Sequence, residues 1–144
     1  IQDVVIFEMW NSGDTNERIR LSSNNYVSYQ RFQVFVGRQF SSNEGYILDY
    51  AYSSVSATTE WHHLVVTANS SRTALFYNGA EVGSDSSITT SGSFTFSNIR
   101  IGGGASNYNG GASTTYAGAL IDDVRIYNRT LSATEIVNLY SVGK

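Results

Sequence analysis

Thr73-Ala74-Leu75-Phe76-Tyr77-Asn78-Gly79-Ala80-Glu81-Val82-Gly83 decides how the chain is read. An apolar run of strand length stops at Asn-Gly and a second short run follows. Both turn residues tolerate positive φ, which a tight two-residue hairpin turn requires. The stretch therefore predicts a β-hairpin with arms at Thr73–Tyr77 and Ala80–Val82.

Outward from the hairpin the same grammar repeats. On the N-terminal side stand Val4–Trp10, Arg18–Leu21, Phe32–Val36, Gly45–Tyr50 and Trp61–Thr67. On the C-terminal side stand Phe94–Phe96 running into Asn98–Ile101, and Ala119–Tyr127. Ser, Asn and Gly clusters separate them. Eight or nine such runs predict an all-β, antiparallel β-sandwich. Arg18/Arg20 alternate with Ile19/Leu21, which predicts one wet and one buried face for that strand. One helix closes the chain. Ser132-Ala133-Thr134-Glu135 is a capping-box sequence, Leu131, Ile136, Leu139 and Tyr140 form an apolar stripe, and Gly143 follows as C-cap. At about 8 to 10 residues it needs the sandwich to dock on.

Composition narrows the function. The 144 residues fit one domain, 1–144, and 41% hydrophobic against 15% charged suffices for a core. Net charge is −3, the arginines are scattered and the sole lysine is Lys144, so no basic face for nucleic acid is expected. The absence of cysteine closes zinc-finger, disulfide and thiol-nucleophile chemistry. No apolar run reaches membrane-spanning length.

Three segments, in order, resemble the laminin-G-like jelly-roll domains of the concanavalin A-like superfamily. They are Trp61–Thr67, Ala74–Gly83 and Gly118–Ile136, the last like that family's closing strand and terminal helix. The resemblance covers roughly residues 1 to 142. It implies a jelly-roll sandwich and a lectin-like binding module, extracellular, at a cell surface or on a virion. Domains of that family begin with further strands ahead of a segment like Val4–Trp10. The chain is therefore expected to take a first strand from a preceding segment or a partner chain, because a sandwich lacking one exposes unpaired backbone.

Concanavalin-fold glucanases carry closely spaced acids on one strand face. Here Glu8, Glu44, Glu60 and Glu81 are isolated, and Asp122-Asp123 would point to opposite faces of a strand. No nucleophile-elbow serine supports a triad. His62-His63 cannot both face one metal from a strand; one is expected beside Trp61 and the other at the surface. The expectation is a non-enzyme. Calcium suits hard oxygen ligands, and the resemblance favours it, with Asp122 or Asp123, Asp14 and carbonyls of 102–118 as ligands.

Sugar binding asks for aromatic platforms with amides or carboxylates beside them. Residues 102–118 are too glycine-rich and polar for a strand and form a long loop, and long loops are commonly functional. Asn107, Tyr108, Asn109 and Tyr116 on it are candidates, as are Asn43 and Tyr46; Trp10, Tyr46 and Tyr50 also suit the core. Asn69-Ser70-Ser71 and Asn128-Arg129-Thr130 match the glycosylation sequon. The leading expectation is a non-catalytic module that binds glycan or surface polymer. The alternatives are a structural or adhesive protein-binding module of a larger assembly and an accessory domain of a carbohydrate-active enzyme.

Overall fold

The computed structural model describes residues 3–10, 17–26, 29–38, 46–52, 60–86, 96–103 and 117–143. The strands are β1 (Asp3–Trp10), β2 (Glu17–Tyr26), β3 (Tyr29–Arg38), β4 (Tyr46–Tyr52), β5 (Leu64–Ala68), β6 (Thr73–Tyr77), β7 (Ala80–Asp85) and β8 (Asn98–Ile101); one helix, α1 (Ala133–Val142), follows. Two antiparallel sheets form, one ordered β4-β3-β2-β1-β8 and the other β5-β6-β7. The all-β sandwich with one short C-terminal helix is thus as expected.

The hairpin chemistry is visible in the backbone. Asn78 at φ 50 and Gly79 at φ 83 make the β6–β7 turn. Asn78 also ties the turn to its neighbour. Its backbone N–H donates to the His63 carbonyl at 2.8 Å, and its side-chain oxygen accepts the His63 N–H at 2.9 Å.

β6 is the keystone because both its faces are covered, as its unbroken apolar run suits. Leu75 and Tyr77 face the larger sheet and pack with Leu21, Phe32, Val34 and Val36. The Phe32 and Tyr77 rings meet 5.9 Å apart across the two sheets. Ala74 and Phe76 face outward and pack with Leu131 and Ile136. The layers are therefore sheet, sheet, helix. Burying each Leu, Val, Ile or Phe among them stabilises by about 1.5–3 kcal/mol relative to leaving it in water.

The capping box forms as expected. Ser132 Oγ accepts the Glu135 N–H, and the Glu135 carboxylate accepts the Ser132 N–H at 2.8 Å. Gly143 closes the helix at φ −85, outside the left-handed region, with its N–H donated to Leu139.

Two expectations change. Arg18 and Arg20 do not form a wet face: Glu8, from the same face, is wholly buried and meets Arg18 at 3.1 Å. Pairing across the ladder is what lets a charged group leave water there. The segment Ala119–Tyr127, expected as a closing strand, joins neither sheet, and Asp123 within it has φ 52. Alternation marks a chain suited to a ladder, but a strand exists only with a partner to bond to.

Candidate functional site

A concavity among the described residues lies where this unpaired segment runs beside α1. It encloses about 450 Å³. Asp123, Arg125, Tyr127, Arg129 and Leu131, every second residue of the segment, line one wall. Glu135, Asn138, Leu139 and Val142 line the other, spaced 3, 1 and 3 along the helix. A period of two thus faces a period near 3.6, so each wall presents one consistent set of side chains.

Charge in this groove is organised in pairs. Arg125 Nε donates to Asp123 Oδ1 at 2.8 Å. That carboxylate, and next the Tyr127 hydroxyl, holds the Arg125 guanidinium firmly charged. Arg129 clasps Glu135 through both arms, at 3.0 and 2.6 Å. The Arg129 guanidinium, then the Ser132 backbone and hydroxyl, push the Glu135 carboxyl down to about 2. Tyr127, 42% exposed, sits between the two pairs. Asn138 adds an amide and Leu139 an apolar wall.

At the near end of β5 the two histidines occupy different environments. His62 Nδ1 lies 2.8 Å from the Tyr77 hydroxyl. The His63 ring packs on Tyr140, 5.9 Å between centroids. Burial lowers the His63 pKa, Asp123 opposes that shift and Arg125 adds to it. Neither ring contact involves Trp61, which stands 66% exposed, so the expected Trp61–histidine packing is replaced by packing on tyrosines.

The sequence-derived candidates fall mainly elsewhere. Asn43, Asn107, Tyr108, Asn109, Tyr116 and Asp14 lie outside the described residues. Tyr46 opens β4, paired with Val36. Asp122 is exposed and its Oδ1 accepts the Asp123 N–H at 2.8 Å. Asp123 is engaged by Arg125. Among the described residues no three His, Asp or Glu side chains come together as a metal site. These residues alone do not fit calcium. Nor is any described helix long and apolar enough to cross a membrane.

From sequence Glu135 reads only as a helix cap, and Arg125, Tyr127, Arg129 and Asn138 carry no site signal of their own. The signal was present, as odd-numbered polar residues from 123 to 129 leading into the capping box. Its meaning depends on the helix folding back beside them.

Comparison with known proteins adds the following. The model of the laminin-G type described as concanavalin A-like lectin/glucanases superfamily matches residues 2–137. Among solved structures, the chain is similar to residues 221–444 of an S-layer domain-containing protein from Clostridium thermocellum, at 24% identity and a TM-score of 0.48. The alignment covers 97% of this chain, which spans 64% of the length of that one. No curated protein matches the chain.

Proposed function

The chain belongs to the laminin-G-like family of the concanavalin A-like lectin/glucanase superfamily, and from that premise we propose that it is a non-catalytic module binding glycan or a glycan-bearing polymer outside the cell or at its surface. One observation carries this reading: Tyr127 lies exposed in a groove between two guanidinium–carboxylate pairs, with Asn138 opposite. An aromatic face suits the apolar side of a pyranose, while guanidinium, amide and carboxylate groups in fixed positions bond its hydroxyls. Pairing pre-organises those groups, so less ordering is lost on binding.

The same geometry supports the non-catalytic part. Glycoside hydrolysis needs a carboxylic acid that stays protonated near neutral pH. Glu135 is driven the other way, and Asp123 is tied to Arg125. The loop candidates Asn107, Tyr108, Asn109 and Tyr116, with Asn43 and Tyr46, remain proposed as a second contact zone. Calcium at Asp122 and Asp14 remains proposed only with further ligands from residues 102–118.

A glycan array probed with the whole chain tests the proposal. Binding to at least one glycan class is expected, weakened tenfold or more by Tyr127→Ala. Retention in Tyr127→Ala with loss in Tyr108→Ala or Tyr116→Ala would move the site to the loop. Release of reducing sugar from any β-glucan would overturn the non-catalytic reading.

A further inference from the structure

Each cation that lines the groove beside α1 has its own anion. Arg125 and Asp123 meet at 2.8 Å, Arg129 and Glu135 at 2.6 Å, and all four line the concavity. Among the described residues lining it there is no further Lys, Arg, His, Asp or Glu, so its charge sums to zero. The four side chains are between 40% and 66% exposed, so a ligand entering the groove meets them directly.

Both anions are held in place. Glu135 accepts the Ser132 N–H and hydroxyl as well as both arms of Arg129, and these bonds keep its carboxyl ionised down to about 2. To hand Arg129 to an incoming anion, Glu135 must either stay beside that anion or abandon the helix cap. Asp123 is fixed through its backbone, whose N–H donates to Asp122 Oδ1 at 2.8 Å and whose φ is 52. The groups left for a ligand both donate and accept. A guanidinium carries five N–H groups, and Glu135 takes one from each arm of Arg129. The carboxylates only accept, and the Asn138 amide does both. A sugar hydroxyl also does both and can bond any of them. A uronate or sulfate only accepts, so it meets one like-charged carboxylate on each wall, which costs affinity.

Granted the groove as the glycan site, on which this selectivity rests, we propose that it takes neutral, hydroxyl-rich glycans and excludes uronate- and sulfate-bearing ones. Asp123 and Glu135 are the specificity-determining residues, because they supply the repulsive element that discrimination needs. Asp123 is the one that can be changed cleanly. Asn is among the few residues that tolerate positive φ, so Asp123→Asn keeps the backbone at φ 52 and the shape of the side chain. It removes one anion and leaves Arg125 as a surplus cation in the groove.

The test is an array of neutral, uronate-bearing and sulfated glycans, probed at pH 7 with the whole chain and with folded Tyr127→Ala, and scored on the signal that Tyr127→Ala loses. The strongest ligands should be neutral. Their affinity on titration should change less than about twofold between about 0.01 and 0.15 M salt, over which the screening length drops from about 30 to 8 Å. Asp123→Asn should bind the uronate-bearing or sulfated members about tenfold more tightly than the native chain at the lower salt, and lose most of that gain at the higher. A native chain that prefers acidic glycans, with an affinity that salt weakens, would overturn the selectivity and leave the groove standing as the site. An Asp123→Asn variant with no gain for acidic glycans would overturn it as well. If no glycan signal is lost in Tyr127→Ala, the groove is not the site and the selectivity falls with it.

Discussion

The Arg129 guanidinium closes on the Glu135 carboxylate with both arms of its fork, Nη1 to Oε2 at 3.0 Å and Nη2 to Oε1 at 2.6 Å. The same carboxylate accepts the Ser132 N–H and hydroxyl. One side chain thus caps the helix and shapes the groove wall. Bidentate pairs of this kind fix geometry as well as charge.

That arrangement predicts an acid sensitivity. The folded state holds Glu135 near 2 while the unfolded chain titrates near 4.5, so its contribution is full above 4.5 and is lost as pH falls toward 2. Glu135→Gln should lower the thermal midpoint at pH 7 and flatten the pH 4.5-to-2 decline in helix content by circular dichroism. Ser132→Ala should cost about 1 kcal/mol through the lost cap. An unchanged acid profile in Glu135→Gln would contradict this account.

His63 predicts a second window with its own cause. Burial against Tyr140 lowers its folded pKa, so the unfolded chain takes up the proton first. Stability should therefore fall as pH drops below 6.5 and level off once the folded pKa is passed. Urea midpoints at pH 7.5 and 5.5 should differ in the native chain and converge in His63→Phe. Equal midpoints in the native chain would rule out the effect.

Gly79→Ala should destabilise the hairpin by about 1–2 kcal/mol or more. The residue sits at φ 83, and an added Cβ would lie 3.0 Å from Tyr140 Cδ1. Gly83→Ala, with open space around it, should stay within about 0.5 kcal/mol. Chemical denaturation of the two variants separates turn strain from any general intolerance of β7.

Ile136→Ala should cost about 2–5 kcal/mol, because a wholly buried side chain under Phe76 and Leu131 is removed. Val137→Ala, one position on and nearly half exposed, should change little. Similar losses at both positions would mean the helix does not dock through the Ile136 face.

What was legible in the sequence is what local chemistry determines. Asn78-Gly79 specifies its own turn, and Ser132 with Glu135 specifies its own helix start. Glu8 and Arg18 meet only because β1 and β2 pair in one register, and nine intervening residues conceal that. Ala119–Tyr127 has a strand's alternation, yet the ladder that would make it one depends on a partner. The groove is hidden in the sequence for the same reason: Tyr127 and Asn138 belong to different periodicities that become one surface only where α1 lies beside residues 123–131.

The most direct test of the central reading is glycan binding by the native chain beside Tyr127→Ala and Asn138→Ala, each checked for an unchanged circular dichroism spectrum. The prediction is saturable binding to at least one glycan class, weakened tenfold or more in Tyr127→Ala and to a lesser degree in Asn138→Ala. Undiminished binding in both folded variants, or no binding to any glycan by the native chain, would contradict it.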